Sequence, residues 1–336
     1  MSSRFSFFKE RFPGSIEIIS LLGITSICLF IVPALVALFF NFVFDFSMED
    51  FVKVNSALDK ITHISITKYS DPSEAAKYGH TLLPNYIVNT QHIKNSMWFI
   101  IVSSNIPLLV AGVLFLVFFR RNDDSIFLWK KNHYPSYLNA ILAFFFALPF
   151  LAIVGQWNQG LHFPVEEVKN EMLIAEVKSG IIQQGFGDMN GIGELLLMIL
   201  FVGVLTAIAE EFIFRVGLQK ILLKIMPPHT AILIGAAVFS AVHFQFYGFF
   251  VRLILGLLLG YLYYWTKDIK TSIIAHAFNN GLAMVVAYNT GDINENPTEE
   301  MAGGFMITVI LFTVLCGLSL YRIYIKSTEE ENTMMN

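Results

Sequence analysis

The chain has 336 residues, 55% of them hydrophobic and only 14% charged, with a mean hydropathy of +0.61. A soluble domain carries about 25% charge, so an ordinary soluble fold is excluded and lipid is the expected solvent for much of the surface. The formal net charge of -4 offers no basic surplus, and no nucleic-acid partner is expected.

About 20 mostly apolar residues cross a bilayer as a helix. Met1–Pro13 carries Arg4, Lys9 and Arg11, and the apolar stretch Ile16–Phe44 that follows is longer than a signal-peptide core. It reads as a retained membrane helix. Further spans are expected near Met97–Phe119, Tyr137–Val154, Ile192–Leu222, Ala231–Phe250, Leu253–Trp265, Ser272–Tyr288 and Phe305–Tyr324, about eight in all. The fold class is therefore all-α, a polytopic membrane helix bundle.

The expected organisation is a cytoplasmic N-terminus (1–14), one integral-membrane domain (15–325) with its motif core at 190–290, and a disordered polar tail (326–336). Residues 47–95 form an extramembranous loop of mixed charge. Residues 160–185 place apolar residues at helical spacing and read as an interfacial helix lying on the membrane, with a substrate gate as the second reading. Cys28 and Cys316 fall in apolar runs and read as small buried hydrophobes.

Positive residues in short loops favour the cytoplasm. Arg4, Lys9, Arg11, Arg120, Arg121, Lys130, Lys131, Lys220, Lys224, Lys267, Lys270, Arg322 and Lys326 all fall on one side of an eight-span arrangement, which places both termini inside. The expected location is the bacterial inner (plasma) membrane, with membrane lipid as a partner.

Three spans carry ionisable or amide groups where hydrocarbon is expected, at a cost of roughly 2.5–3.5 kcal/mol for a charge at the helix centre. In Thr206-Ala-Ile-Ala-Glu-Glu-Phe-Ile-Phe-Arg215, Glu211 and Arg215 are four apart, share a helix face and pair. Glu210 points about 100° away from Glu211 and is left available. In Phe239-Ser-Ala-Val-His243, Phe239 walls the imidazole from one turn earlier. His276 and Asn280 again share a face, while Asn279 points elsewhere and is expected to cap or pack.

Taken singly, Glu211–Arg215 reads as a structural pair, His243 as a core histidine and His276–Asn280 as an interhelical hydrogen bond, while Glu210 reads as functional. Together they suit hydrolysis. A carboxylate and an imidazole can deprotonate water, and an imidazole and an amide can donate to an oxyanion. Glu210, His243 and His276 are also a legal ligand set for a divalent metal such as zinc. The His-Glu-x-x-His arrangement is absent, as is a nucleophile elbow. Depth along the spans favours a cavity open toward the cytoplasm.

These residues carry a resemblance. Glu210-Glu211-x-x-x-Arg215, Phe239-x-x-x-His243 and His276-x-x-x-Asn280 match in order the three motifs of the CAAX-protease and bacteriocin-processing family of intramembrane endopeptidases, which includes the type II CAAX prenyl endopeptidases. The match covers less than a third of the chain, and Val216 stands where members often have Gly. The resemblance implies an active site buried among the motif helices, with Glu210 as general base aided by His243. His276 and Asn280 would stabilise the oxyanion, with Glu211, Arg215 and Phe239 in support. The substrate implied is a membrane-associated or prenylated-type peptide or protein.

A non-catalytic immunity or scaffold protein with a structural polar cluster is the alternative, and a proton-coupled transporter a third. Gly256 and Gly260 form a small-x-x-x-small face suited to close packing or to dimerisation.

Overall fold

The structure, a computed structural model, describes residues 14–87, 90–119, 134–161, 165–290 and 302–335. Arg4, Lys9, Arg11, Arg120, Arg121, Lys130 and Lys131, and the acidic segment after residue 290, lie outside the described residues. All regular structure among the described residues is helical: α1 Gly14–Phe44, α2 Met48–Lys68, α3 Pro72–Tyr86, α4 Thr90–Phe119, α5 Tyr134–Gln159, α6 Glu166–Gly187, α7 Ile192–Ile225, α8 Pro228–Ala241, α9 Phe249–Thr266, α10 Ile269–Thr290 and α11 Ala302–Met335. The chain is a polytopic helical bundle.

Each of the eight expected spans has a helix, but six among the described residues are long and apolar enough to cross a membrane: α1, α4, α5, α7, α9 and α11. Their outer faces suit lipid: Phe30 and Phe42 on α1 are 82% and 89% exposed. The shorter apolar helix α8 stops at Ala241, nine residues before the expected Phe250. The aromatic run after His243 reads as span on hydropathy, yet the backbone turns there: His243 and Phe244 donate to carbonyls only three residues back, and Phe244 takes a left-handed φ of 53°. The tail expected to be disordered from residue 326 is instead helical to Met335, with the Ser327 and Thr328 hydroxyls bonded to the Tyr324 carbonyl.

Helices α2, α3 and α6 form a cap that obeys soluble-protein rules. Ser47 and Asp50 close a reciprocal capping box at the start of α2, and Asp71 caps α3 ahead of Pro72. Ile61, Leu83, Val177 and Ile181 are buried together between the three helices. A Cβ on Gly180 of α6 would fall 2.6 Å from the Ala76 Cβ of α3, so that close approach needs glycine. Within the segment expected to be an interfacial helix, Val177 and Ile181 pack on α2 and α3, whereas Val168 and Met172 line an open groove.

The long helix α7 runs through the centre. Its two ends are fastened by ion pairs: Glu194 to Lys94 of α4 at 3.1 Å, and Lys224 to Glu17 of α1 at 2.6 Å. Between them the helix is π-helical over Ile199–Leu205 and Phe212–Gln219, and α-helical over Thr206–Glu211. π turns within helices occur often at functional sites. Here two of them bracket the acidic pair.

Helix α9 lies on α8 through Gly256. A Cβ there would meet the Ala236 Cα at 3.1 Å and Cβ at 3.0 Å, and one at Gly260 would meet Ile232 at 2.8 Å and Gln219 at 3.1 Å. The small-residue face is thus filled within the chain, where it brings the second motif helix against the connection to the third.

Candidate active site

Glu210 and Glu211 sit midway along α7, between its anchored ends. Glu211 is fully buried and engaged on both oxygens: Oε2 accepts from Arg215 Nε at 2.9 Å, and Oε1 lies 3.0 Å from His276 Nδ1. The expected Glu211–Arg215 pair is present. The His276 link is new, because it joins residues 65 apart in sequence. Nδ1 of His276 donates to the ionised Glu211, which leaves Nε2 facing Glu210, whose Oε2 is 3.7 Å away. One imidazole therefore lies between two carboxylates.

His243 stands just beyond the last turn of α8. Its Nδ1 lies 2.8 Å from the Phe239 carbonyl, and with a proton on Nδ1 the free Nε2 is a base. The Phe239 ring packs edge-on against both imidazoles, at 5.3 Å from His243 and 6.0 Å from His276, with the Arg215 guanidinium 5.5 Å from its centre. Phe239 is the apolar hub of the motif set, in contact with more of it than the expected wall for His243. Asn280 donates from Nδ2 to the Val202 carbonyl at 3.4 Å and accepts from Asn279 at 3.2 Å.

Glu210, His243, His276 and Asn280 all line one cavity of about 320 Å³. Glu211 and Arg215 are not among its lining residues and support it from behind. The same wall includes residues that the motif spacing does not single out: Gln183 of α6, Gln245, Arg252 and Asn279. Asn279, expected to cap or pack, also lines the cavity. Gln183 and the turn at 242–248 place the cavity beside the cap. Had α6 been read for its polar face, Glu176, Ser179 and Gln183, spaced three and four apart, were the available signal.

Burial pushes the Glu176 carboxyl of α6 up from its ordinary value, against the Arg252 guanidinium nearby. Arg252 donates from Nη1 to Gln245 Oε1 at 2.9 Å and from Nη2 to the Gln245 carbonyl.

Among the described residues, no group of three or more His, Cys, Asp or Glu side chains is arranged to hold a metal ion. His276 Nδ1 is bonded to Glu211 and His243 Nδ1 to the Phe239 carbonyl, which fixes both rings and leaves Nε2 of each directed elsewhere.

Adjoining the cavity, and sharing Gln245 with it, is a larger groove of about 690 Å³ lined by Met172, Phe244, Phe246, Phe249 and Phe250 among others. Phe244 is 83% exposed there.

No curated protein and no solved structure matches the chain. Residues 192–282 match the family model of the type II CAAX prenyl endopeptidase Rce1-like proteins. That stretch contains all three motifs, from Glu210 to Asn280, in a multi-pass helical membrane protein, and over those residues the chain is similar to the CAAX protease family.

Proposed function

We propose that this protein is a glutamate-dependent intramembrane endopeptidase acting on a membrane-associated or prenylated-type peptide or protein. The observation that carries the reading is the division of labour between adjacent carboxylates. Glu211 is neutralised by Arg215 and His276, while Glu210 faces the 320 Å³ cavity together with His243, His276 and Asn280.

In this reading Glu210 takes a proton from a water molecule, aided by His243, as the water oxygen attacks the scissile carbonyl carbon. The carbonyl π electrons move to oxygen. The oxyanion so formed is met by donors from His276 Nε2, in a ring that also carries a proton on Nδ1, and from the Asn280 amide. Collapse of the tetrahedral intermediate breaks the C–N bond, and the proton held by Glu210 passes to the leaving amine. A carboxylic acid and an amine result. The apolar groove beside Gln245 supports a substrate with a hydrophobic chain next to the scissile bond.

The test compares membrane and secreted proteomes from cells carrying the wild type or Glu210→Ala. New termini that depend on Glu210 are expected, and Glu210→Ala protein is expected to accumulate normally. Proteolysis retained by purified Glu210→Ala would overturn the mechanism. If the wild type and a Glu210/His243/His276 triple alanine variant act alike in the cell, the protein is a binding or scaffold component instead. In the glutamate-dependent reading, cleavage is expected to survive dialysis against EDTA. Loss of cleavage that zinc restores would overturn that part.

A further inference from the structure

We propose that Arg252 is a positioning residue for His243, acting through Gln245. The proposal rests on the reading of the 320 Å³ cavity as a hydrolytic site, and it concerns how that site keeps its shape.

His243 is held by neither a helix nor a strand. It lies in the turn between α8 and α9, followed by Phe244 in the left-handed region, where a non-glycine residue is disfavoured by roughly 1–2 kcal/mol. A bulky residue keeps that conformation only where its surroundings impose it. Three side chains do so. Ser240 Oγ donates to the Phe249 carbonyl at 2.6 Å. Asn158 of α5, fully buried, donates to the Phe246 carbonyl at 3.1 Å and accepts from the Phe250 amide at 3.0 Å. Arg252 grips Gln245 at both its side-chain and its main-chain oxygen.

Of the three, Arg252 alone also lines the catalytic cavity, in electrostatic range of both Glu210 and Glu176. The planar fork is what allows one side chain to hold two oxygens of the same residue, a geometry that lysine cannot reproduce. Gln245 then extends the hold outward, donating to Ser179 Oγ of α6, which also accepts from Gln183 at 3.0 Å. The turn that carries His243 is thereby tied to the cap through a chain of side-chain hydrogen bonds.

The experiment uses the full-length protein in detergent and three variants: Arg252→Ala, Arg252→Lys and Gln245→Ala. Diethyl pyrocarbonate is the probe, and carbethoxylation of each histidine is followed by mass spectrometry. The exposed His63 of α2 serves as the internal reference. The expected result is a rise of about tenfold in the His243 rate relative to His63 in all three variants, the order that follows from removing a hydrogen bond to a charged group. Methylguanidinium is expected to reverse it in Arg252→Ala alone.

In cells, the rate at which Glu210-dependent termini appear should fall about 10²-fold, the cost of a misplaced catalytic group. A His243 rate unchanged in any variant that accumulates normally overturns the proposal, as does an unchanged cleavage rate in a variant whose His243 has become reactive. If instead Glu210→Ala retains cleavage, the hydrolytic reading fails. The carbethoxylation result still decides whether Arg252 holds the turn.

Discussion

The cap and the motif bundle are built from the same secondary structure but closed by different residues. In the cap, α2, α3 and α6 bury Ile61, Leu83, Val177 and Ile181 against one another. In the bundle, the fully buried side chains around α7 include Glu211, Arg215 and Gln219, the last donating to the Gly260 carbonyl at 2.9 Å. The difference follows from solvent. Water drives apolar faces together in the cap, whereas lipid gives apolar helices no such preference, so close small-residue contacts and polar bonds must specify the packing. The site inherits this property, because its supporting ion pair also contributes to bundle assembly.

The sharpest way to separate the two regions is Glu210→Gln. Cleavage is expected to fall by about 10²–10⁴-fold, the usual share of a general base, as read from the rate of Glu210-dependent termini. Amide hydrogen exchange in both regions should be unchanged, since Glu210 supports neither core.

Arg215→Met should break the bundle instead. Leaving Glu211 buried with only His276 costs about 3–5 kcal/mol, and the variant is expected to fail to accumulate in membranes. Joint replacement of Glu211 by Gln and Arg215 by Met should recover accumulation without cleavage. If the single variant accumulates normally, the pair is not what holds the bundle.

In the cap, Gly180→Val forces α6 away from Ala76 at a cost of about 1–3 kcal/mol, the range for overpacking. Faster exchange in α3 and α6, with α8–α10 unaltered, is the expected pattern. Coupled loosening of the turn at 242–248 would instead show that cap and site move together.

The smallest effect is Ser47→Ala, which removes the capping box and costs about 1 kcal/mol at the start of α2. The Ser47 hydroxyl and amide hold the Asp50 carboxyl below its ordinary value. That contribution is present above the unfolded carboxylate range and is lost as pH falls through the depressed folded value. The exchange difference between wild type and variant should therefore shrink in acid.

Legibility in the sequence tracked distance along the chain. Glu211–Arg215 was readable because helical spacing alone brings them together. The Glu211–His276 bond was not, because no periodicity relates two helices. Nor were Gln245 and Arg252, whose partners are set by a turn that hydropathy reads as continuing helix. Phe246, Phe249 and Phe250 make that stretch look like membrane span, and only a backbone reversal at Phe244 gives it a different role. The end of α8 was misplaced for the same reason. The cap was visible as a polar insertion and its third helix as an amphipathic segment, but their contact was not, since the apolar stripe of α6 fits lipid and protein equally well.

The two π-helical stretches of α7 give the molecule an angular indexing problem and its solution. Each wide turn admits an extra residue, which advances everything beyond it by about 100° relative to a regular helix. Glu194, the Glu210–Glu211 pair and Lys224 therefore belong to three separately phased segments of one rod, and no single helical wheel describes them. Removing one residue from 199–205 would leave the acidic pair locally intact while rotating it away from the bearing set by Glu194. A length change invisible to hydropathy would then mis-aim Glu210.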